Sequence, residues 1–206
     1  MQIDFIFSLL ILMFSVVVHE VAHGYAAYLQ GDNTAKNLGR LTLNPIKHLE
    51  WFGSIILPTL SYMLGGFIIG WAKPVPFNPY NLRNQKWGEA IVAFAGPFIN
   101  ICIALFFGLI IRFAVGGVFL LSPAFIQIAG SIVLINLILA CFNLVPIPPL
   151  DGSKILFSIF PNSLTPLRAN LEAYGTTILI FFIFFFSSSL LPVVRAAFQL
   201  ITGFGL

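Results

Sequence analysis

The sequence predicts an all-α membrane protein, a polytopic helical bundle of about five to six membrane segments, one of them re-entrant. Three observations predict it. Of 206 residues, 59% are apolar and only 8% charged, against about 25% charge in an ordinary soluble domain. The mean hydropathy is +0.99. Apolar stretches recur at about the 20-residue length that crosses the hydrocarbon core. A water-soluble enzyme, a disordered tail and a nucleic-acid binder are excluded, because 17 charged side chains cannot clothe a soluble surface of this size. The net charge of +3 is the usual Lys and Arg excess of a membrane protein whose inner loops are basic.

The first segment runs from Phe5 to Leu29. It lacks a basic leader region and a small-residue cleavage site, so it reads as a retained helix and not a signal peptide. The polar run Gly31 to Glu50 follows, with Lys36, Arg40 and Lys47, and then a second apolar stretch, Trp51 to Ala72. The prolines of Lys73-Pro74-Val75-Pro76-Phe77-Asn78-Pro79 mark a loop, since proline lacks an N–H and restricts the residue before it. A third stretch extends from Ala90 to about Ala114 and stops at Gly116-Gly117. The fourth runs from Pro123 to Val145. The run Pro146-Ile147-Pro148-Pro149-Leu150-Asp151-Gly152 reads as a broken helix end carrying a carboxylate. Such backbone survives at membrane depth only under protein or beside a watery cavity. The last stretch begins near Leu171 and passes Ser189, with Pro192 and Arg195 before a weaker tail. Cys102 and Cys141 read as buried thiols, neither a disulfide nor a metal site. With no repeat and no soluble appendage, residues 1–206 are expected to form one membrane domain.

Residues His19-Glu20-Val21-Ala22-His23 carry the chemistry. Positions i and i+4 share a helix face, so both imidazoles can bind one zinc ion, while Glu20 can act as general base on a metal-bound water. Ionisable groups inside an apolar helix are costly and mark function by default. A catalytic zinc usually takes three protein ligands. Asp151, in the broken segment at the end of a span, is the favoured third; a helix N-cap for the segment starting at Gly152 is its other role, and the two can coexist. His48 is the rival, but beside Lys47 and Glu50 it reads as a surface or interfacial histidine.

The chain resembles the site-2 protease family of intramembrane zinc metalloproteases, in its short branch without a PDZ domain. The resemblance covers nearly the whole chain. It rests on His19 to His23, Gly39-Arg40-Leu41-Thr42-Leu43-Asn44-Pro45, Lys73 to Pro79, Ala95-Gly96-Pro97-Phe98-Ile99-Asn100, and Asn143-Leu144-Val145-Pro146 through Gly152. It implies His19, His23 and Asp151 as zinc ligands, Glu20 as the catalytic base, and Asn143 as an active-site asparagine that orients the substrate carbonyl or the water. Glu50-Trp51 departs from the family pattern of aspartate followed by proline. The implied activity is hydrolysis of peptide bonds within or near transmembrane segments of membrane-protein substrates, with the lipid bilayer as the other partner.

A shared site constrains topology. If Asp151 lies at the depth of His19 and His23, an odd number of crossings separates residues 31 and 122, yet two apolar stretches lie there. Basic residues flank 51–72 on both sides, so 51–72 is expected to be re-entrant, with Pro58 and Gly65-Gly66 as break points. Eight of the ten Lys and Arg then face the cytoplasm, as does the zinc, in the plasma membrane of a prokaryote. An extended 73–79 or 36–44 region is expected to offer a strand edge to an unwound substrate. Asn100, near Gly96-Pro97, reads as a helix–helix hydrogen bond beside a packing kink. The rival function is a divalent-cation transporter or channel, which would spread polar residues along several spans instead of clustering them at one depth.

Overall fold

The structure, a computed structural model, describes residues 5–65, 70–117, 120–160 and 165–205. Among these, four helices are long and apolar enough to cross a membrane. They are α1 (Phe5–Leu29), α4 (Gly88–Val115), α5 (Pro123–Asn143) and most of α7 (Thr165–Phe186). Shorter helices fill the intervals: α2 (Thr34–Asn37), α3 (Leu57–Gly65), α6 (Asp151–Ile159) and α8 (Leu191–Thr202). No strand occurs among the described residues, and Lys36 lies in α2, so the expected edge at 36–44 is absent. Residues 73–78 are nonhelical.

The stretch after Glu50 leaves and comes back to the same place. A π-helical turn, Phe52–Ile56, leads into α3. Trp71 then lies back beside the entry point. Its N–H donates to Gly53 O at 3.0 Å, its carbonyl accepts from Ser54 Oγ at 2.9 Å, and its indole Nε1 donates to Glu50 Oε2 at 2.7 Å. The departure at Glu50 is therefore matched by a local partner, Trp71. The helical stretch of 15 residues from Trp51 to Gly65 spans about 22 Å, short of the ~30 Å hydrocarbon core. Pro58 is not a break point: the helix runs through it, because the wider π turn just before it accommodates a residue without an N–H. Gly65 ends α3, and Gly66 lies outside the described residues.

Helix α4 is the hub and packs against α1, α5, α6 and α8. Its buried residues include the row Gly88, Val92, Gly96, Asn100, Ala104 and Gly108, each four from the next. On α1 the buried row is Ser15, His19, His23 and Ala27. Small residues at this spacing let helix backbones approach closely where lipid supplies no hydrophobic drive. Helix α4 continues unbroken through Pro97. A separate apolar core joins Ala104 and Ile111 of α4, Val133 and Leu137 of α5, and Val194 and Phe198 of α8. The weaker tail is thus a 12-residue helix docked on the bundle, too short to cross. Cys102 and Cys141 are free thiols, half-buried and not fully enclosed.

Two connecting segments are tied to the same end of α1. Asp32, fully buried, accepts from Asn78 N–H at 2.8 Å, Asn81 Nδ2 at 2.9 Å and Thr34 Oγ1 at 2.6 Å. Arg40 Nη2 donates to Lys73 O at 2.8 Å. His48 is buried, contrary to the surface reading, because its segment folds beneath the re-entrant hairpin. Its Nε2 donates to Thr42 O at 2.9 Å and its carbonyl accepts from Lys73 N–H.

Burial pushes the Asp32 carboxyl up, but the hydrogen bonds from Thr34, Asn81 and Asn78 outweigh it and hold the group below its ordinary value. Its stabilising share is therefore complete above the unfolded value of about 3.9 and is lost as pH falls through the lower folded value. Asp32→Ala strips a charged acceptor from four donor groups on three residues and should cost about 2–3 kcal/mol. Chemical denaturation at neutral pH should show that gap between wild type and variant, and the gap should shrink below about pH 3.9.

Candidate metal centre

Helix α1 presents His19 and His23 on one buried face, as i and i+4 residues must be. Asp151 arrives from the far end of the chain. Helix α5 stops at Asn143, and a tight turn follows, in which Ile147 N–H donates to Val145 O and Leu150 N–H to Ile147 O. The first residue of α6 is then Asp151. Its carboxylate does not cap α6, whose N-cap is Leu150 with no side-chain hydrogen bond. It turns to the imidazoles instead. Gly152 makes this turn feasible: a Cβ there would overlap the carbonyl groups of Leu144 and Val145.

The three donor atoms form a nearly equilateral triangle. His19 Nε2 and His23 Nε2 are 3.0 Å apart, and each is 3.2 Å from Asp151 Oδ2. A tetrahedral zinc about 2.0–2.1 Å from each ligand would set its donors ~3.3 Å apart. All three residues are buried. Both Nδ1 atoms face oxygen acceptors, His19 the Oδ1 of Asn100 at 2.5 Å and His23 the carbonyl of Val92 at 2.7 Å. Each Nδ1 therefore donates, and Nε2 is the nitrogen of each ring left to serve as a metal ligand. Two imidazole nitrogens and a carboxylate oxygen converge on one point, an arrangement that suits a cation. Gly96 of α4 faces this point. A Cβ at 96 would stand 2.5 Å from His23 Nε2 and 2.6 Å from His19 Nε2. The donor set and the space both fit zinc.

Glu20 is held from outside α1: its Oε2 accepts from Val75 N–H at 2.8 Å. Pro74 and Pro76 have no N–H, so Val75 is the one main-chain donor of that tripeptide. Asn143 is half-buried at the end of α5, where its Nδ2 donates to Leu139 O at 3.0 Å. His48 is not part of the cluster.

Several contributors were not legible as such. Gly96 and Asn100 read as packing, whereas both touch the imidazoles. Asn136 and Ser15 lie behind Asn100, and polar side chains inside apolar spans are themselves a signal of a built site. The carbonyl of Val92 and the N–H of Val75 are main-chain groups, which no residue pattern announces.

The sequence profile of peptidase family M50 matches residues 7–124 and 114–186. "Putative zinc metalloprotease YwhC" of Bacillus subtilis (strain 168) is 38% identical over 90% of this chain and 84% of its own length. "Putative zinc metalloprotease Rip2" of Mycolicibacterium smegmatis is 34% identical over 68% of this chain and 52% of its own, so the chain spans about half of that relative. "Zinc metalloprotease MJ0392" of Methanocaldococcus jannaschii is 27% identical over 84% of this chain and 42% of its own. No solved structure matches. The chain belongs to peptidase family M50 and is an integral-membrane zinc metalloprotease.

Proposed function

We propose that the protein cuts membrane-protein substrates within or beside their transmembrane segments, with His19, His23 and Asp151 holding the zinc and Glu20 serving as general base. The carrying observation is the convergence of three lone-pair donors on one point within a bundle of membrane helices. Zinc bound there supplies Lewis-acid chemistry, acidifying water and polarising a carbonyl. Glu20 takes the proton of the attacking water and returns it to the leaving amine. The Val75 N–H fixes the direction in which that carboxylate faces. A helical substrate hides its carbonyls in i to i−4 bonds and must unwind before attack. Asn143, released from Leu139 O, orients the exposed carbonyl.

The centre faces the cytoplasm in this reading. It lies in the half of α1 that leads into the loops bearing Lys36, Arg40, Lys47 and Lys73, and such loops stay inside. Polar side chains crowd one depth of the bundle, which supports a hydrolytic site over a translocation path.

The purified protein in liposomes, offered a model transmembrane peptide, tests this. Cleavage mapped inside or next to the apolar segment is expected, with no zinc flux across the same liposomes. Flux without cleavage would instead establish the transport function.

A further inference from the structure

A directional chain of buried side chains leads away from His19. Asn100 Nδ2 donates to Asn136 Oδ1 at 2.8 Å, and Asn136 Nδ2 donates to Ser15 Oγ at 3.0 Å and to Ile132 O at 2.9 Å. Asn100 Nδ2 also reaches Ser15 O at 3.4 Å. Both asparagines are completely buried, and Ser15 nearly so. The four side chains come from three helices: α1 supplies Ser15 and His19, α4 supplies Asn100, and α5 supplies Asn136.

The direction of this chain is set at its far end. Ile132 O is a carbonyl and can only accept, so the Asn136 group facing it is the amide nitrogen. Asn136 then turns its oxygen to Asn100. Asn100 must answer with its nitrogen, which leaves its own oxygen toward His19. His19 must therefore donate from Nδ1, which assigns Nε2 to the metal side of the ring. A flip of any one amide would set two donors or two acceptors face to face and leave buried groups unmatched.

The geometry points to Asn100 and Asn136 as positioning residues that fix the tautomer and ring orientation of His19 for zinc, with Ser15 closing the chain. The two histidines are set by different means: His23 by the main chain at Val92, His19 by replaceable side chains. The chain also ties α5, which ends just before the turn to Asp151, to the histidine helix. Ligand orientation and helix packing thus depend on the same bonds. The inference rests on the proposed ligand set.

The test is zinc affinity of the full-length apo-protein by chelator competition, with nitrogen NMR of the imidazoles as a second readout. Asn100→Leu should weaken zinc about 10–100-fold, the usual effect of losing a partner to a metal-bound histidine. Asn136→Leu, which touches neither zinc nor imidazole, should weaken it in the same direction. Asn100→Asp keeps an oxygen for His19 Nδ1 and should bind zinc more tightly than Asn100→Leu. In Asn100→Leu apo-protein the Nδ1–H form of His19 should be lost while that of His23 persists, a split that general loosening would not produce. If Asn100→Leu does not fold, Asn136→Leu and Asn100→Asp carry the comparison. His23→Ala is the control for the ligand set. Zinc lost in His23→Ala but bound equally by wild type, Asn100→Leu and Asn136→Leu would overturn the positioning role alone. Zinc bound undiminished by His23→Ala would overturn the ligand set and the inference together.

Discussion

Gly96→Ala is expected to leave a folded, helical protein that no longer retains zinc. The added Cβ would stand 2.5 Å from one imidazole nitrogen and 2.6 Å from the other, about 1 Å inside ordinary contact. Neither side can yield cheaply. His19 and His23 are each pinned at Nδ1, and α1 and α4 touch along rows of small residues. Overpacking costs about 1–3 kcal/mol of stability, which the bundle can absorb. The metal site cannot, because the methyl group fills the space between the two donors. Zinc affinity should fall by more than the ~10–100-fold that follows loss of a supporting hydrogen bond. Metal analysis after dialysis, with circular dichroism as the folding control, measures it. Full zinc content in Gly96→Ala would show that the ion sits elsewhere.

Glu20→Gln should cut cleavage steeply and keep the metal. Gln is nearly isosteric, and its amide oxygen can still accept from Val75 N–H, so the contact between α1 and the proline loop survives. What disappears is the capacity to take a proton. General-base catalysis contributes about 10²–10⁴-fold, equal to about 3–5 kcal/mol of barrier. Turnover of a transmembrane peptide should drop by that range with zinc content unchanged. A variant as active as wild type would remove Glu20 from the mechanism.

Much of the bundle was legible because lipid enforces a strong code. The first segment was placed at Phe5 to Leu29, where α1 lies. The third and fourth segments end within a few residues of α4 and α5. The re-entrant stretch followed from charges on both of its flanks, and the return of Trp71 to Gly53 and Glu50 accounts for it. Pro58 misled because a proline near a helix start reads as a break unless the backbone beside it widens, and periodicity carries no sign of a π turn. His48 misled for a related reason. A loop segment that sets His48 beside Lys47 and Glu50 reads as exposed, yet this one is folded under a hairpin that hides the imidazole.

At the site, the pairing of His19 with His23 follows from helix geometry alone, and the broken helix before Gly152 drew attention to Asp151. The supporting groups escaped. Gly96 matters for the side chain it lacks, Val92 and Val75 act through main-chain atoms, and Asn100 looked like any amide that joins two helices. It does join them, and its oxygen also meets His19. The proposed site rests on contacts between helices, which a linear pattern does not encode.

X-ray absorption spectroscopy of the zinc-loaded protein, with the metal counted per chain, tests the convergence of His19, His23 and Asp151 most directly. One zinc per chain is expected, with nitrogen and oxygen neighbours at about 2.0–2.1 Å, an imidazole signature and no sulfur. Asp151→Ala should cut the retained zinc sharply. A sulfur neighbour, or a spectrum and zinc content untouched by Asp151→Ala, would contradict the assignment.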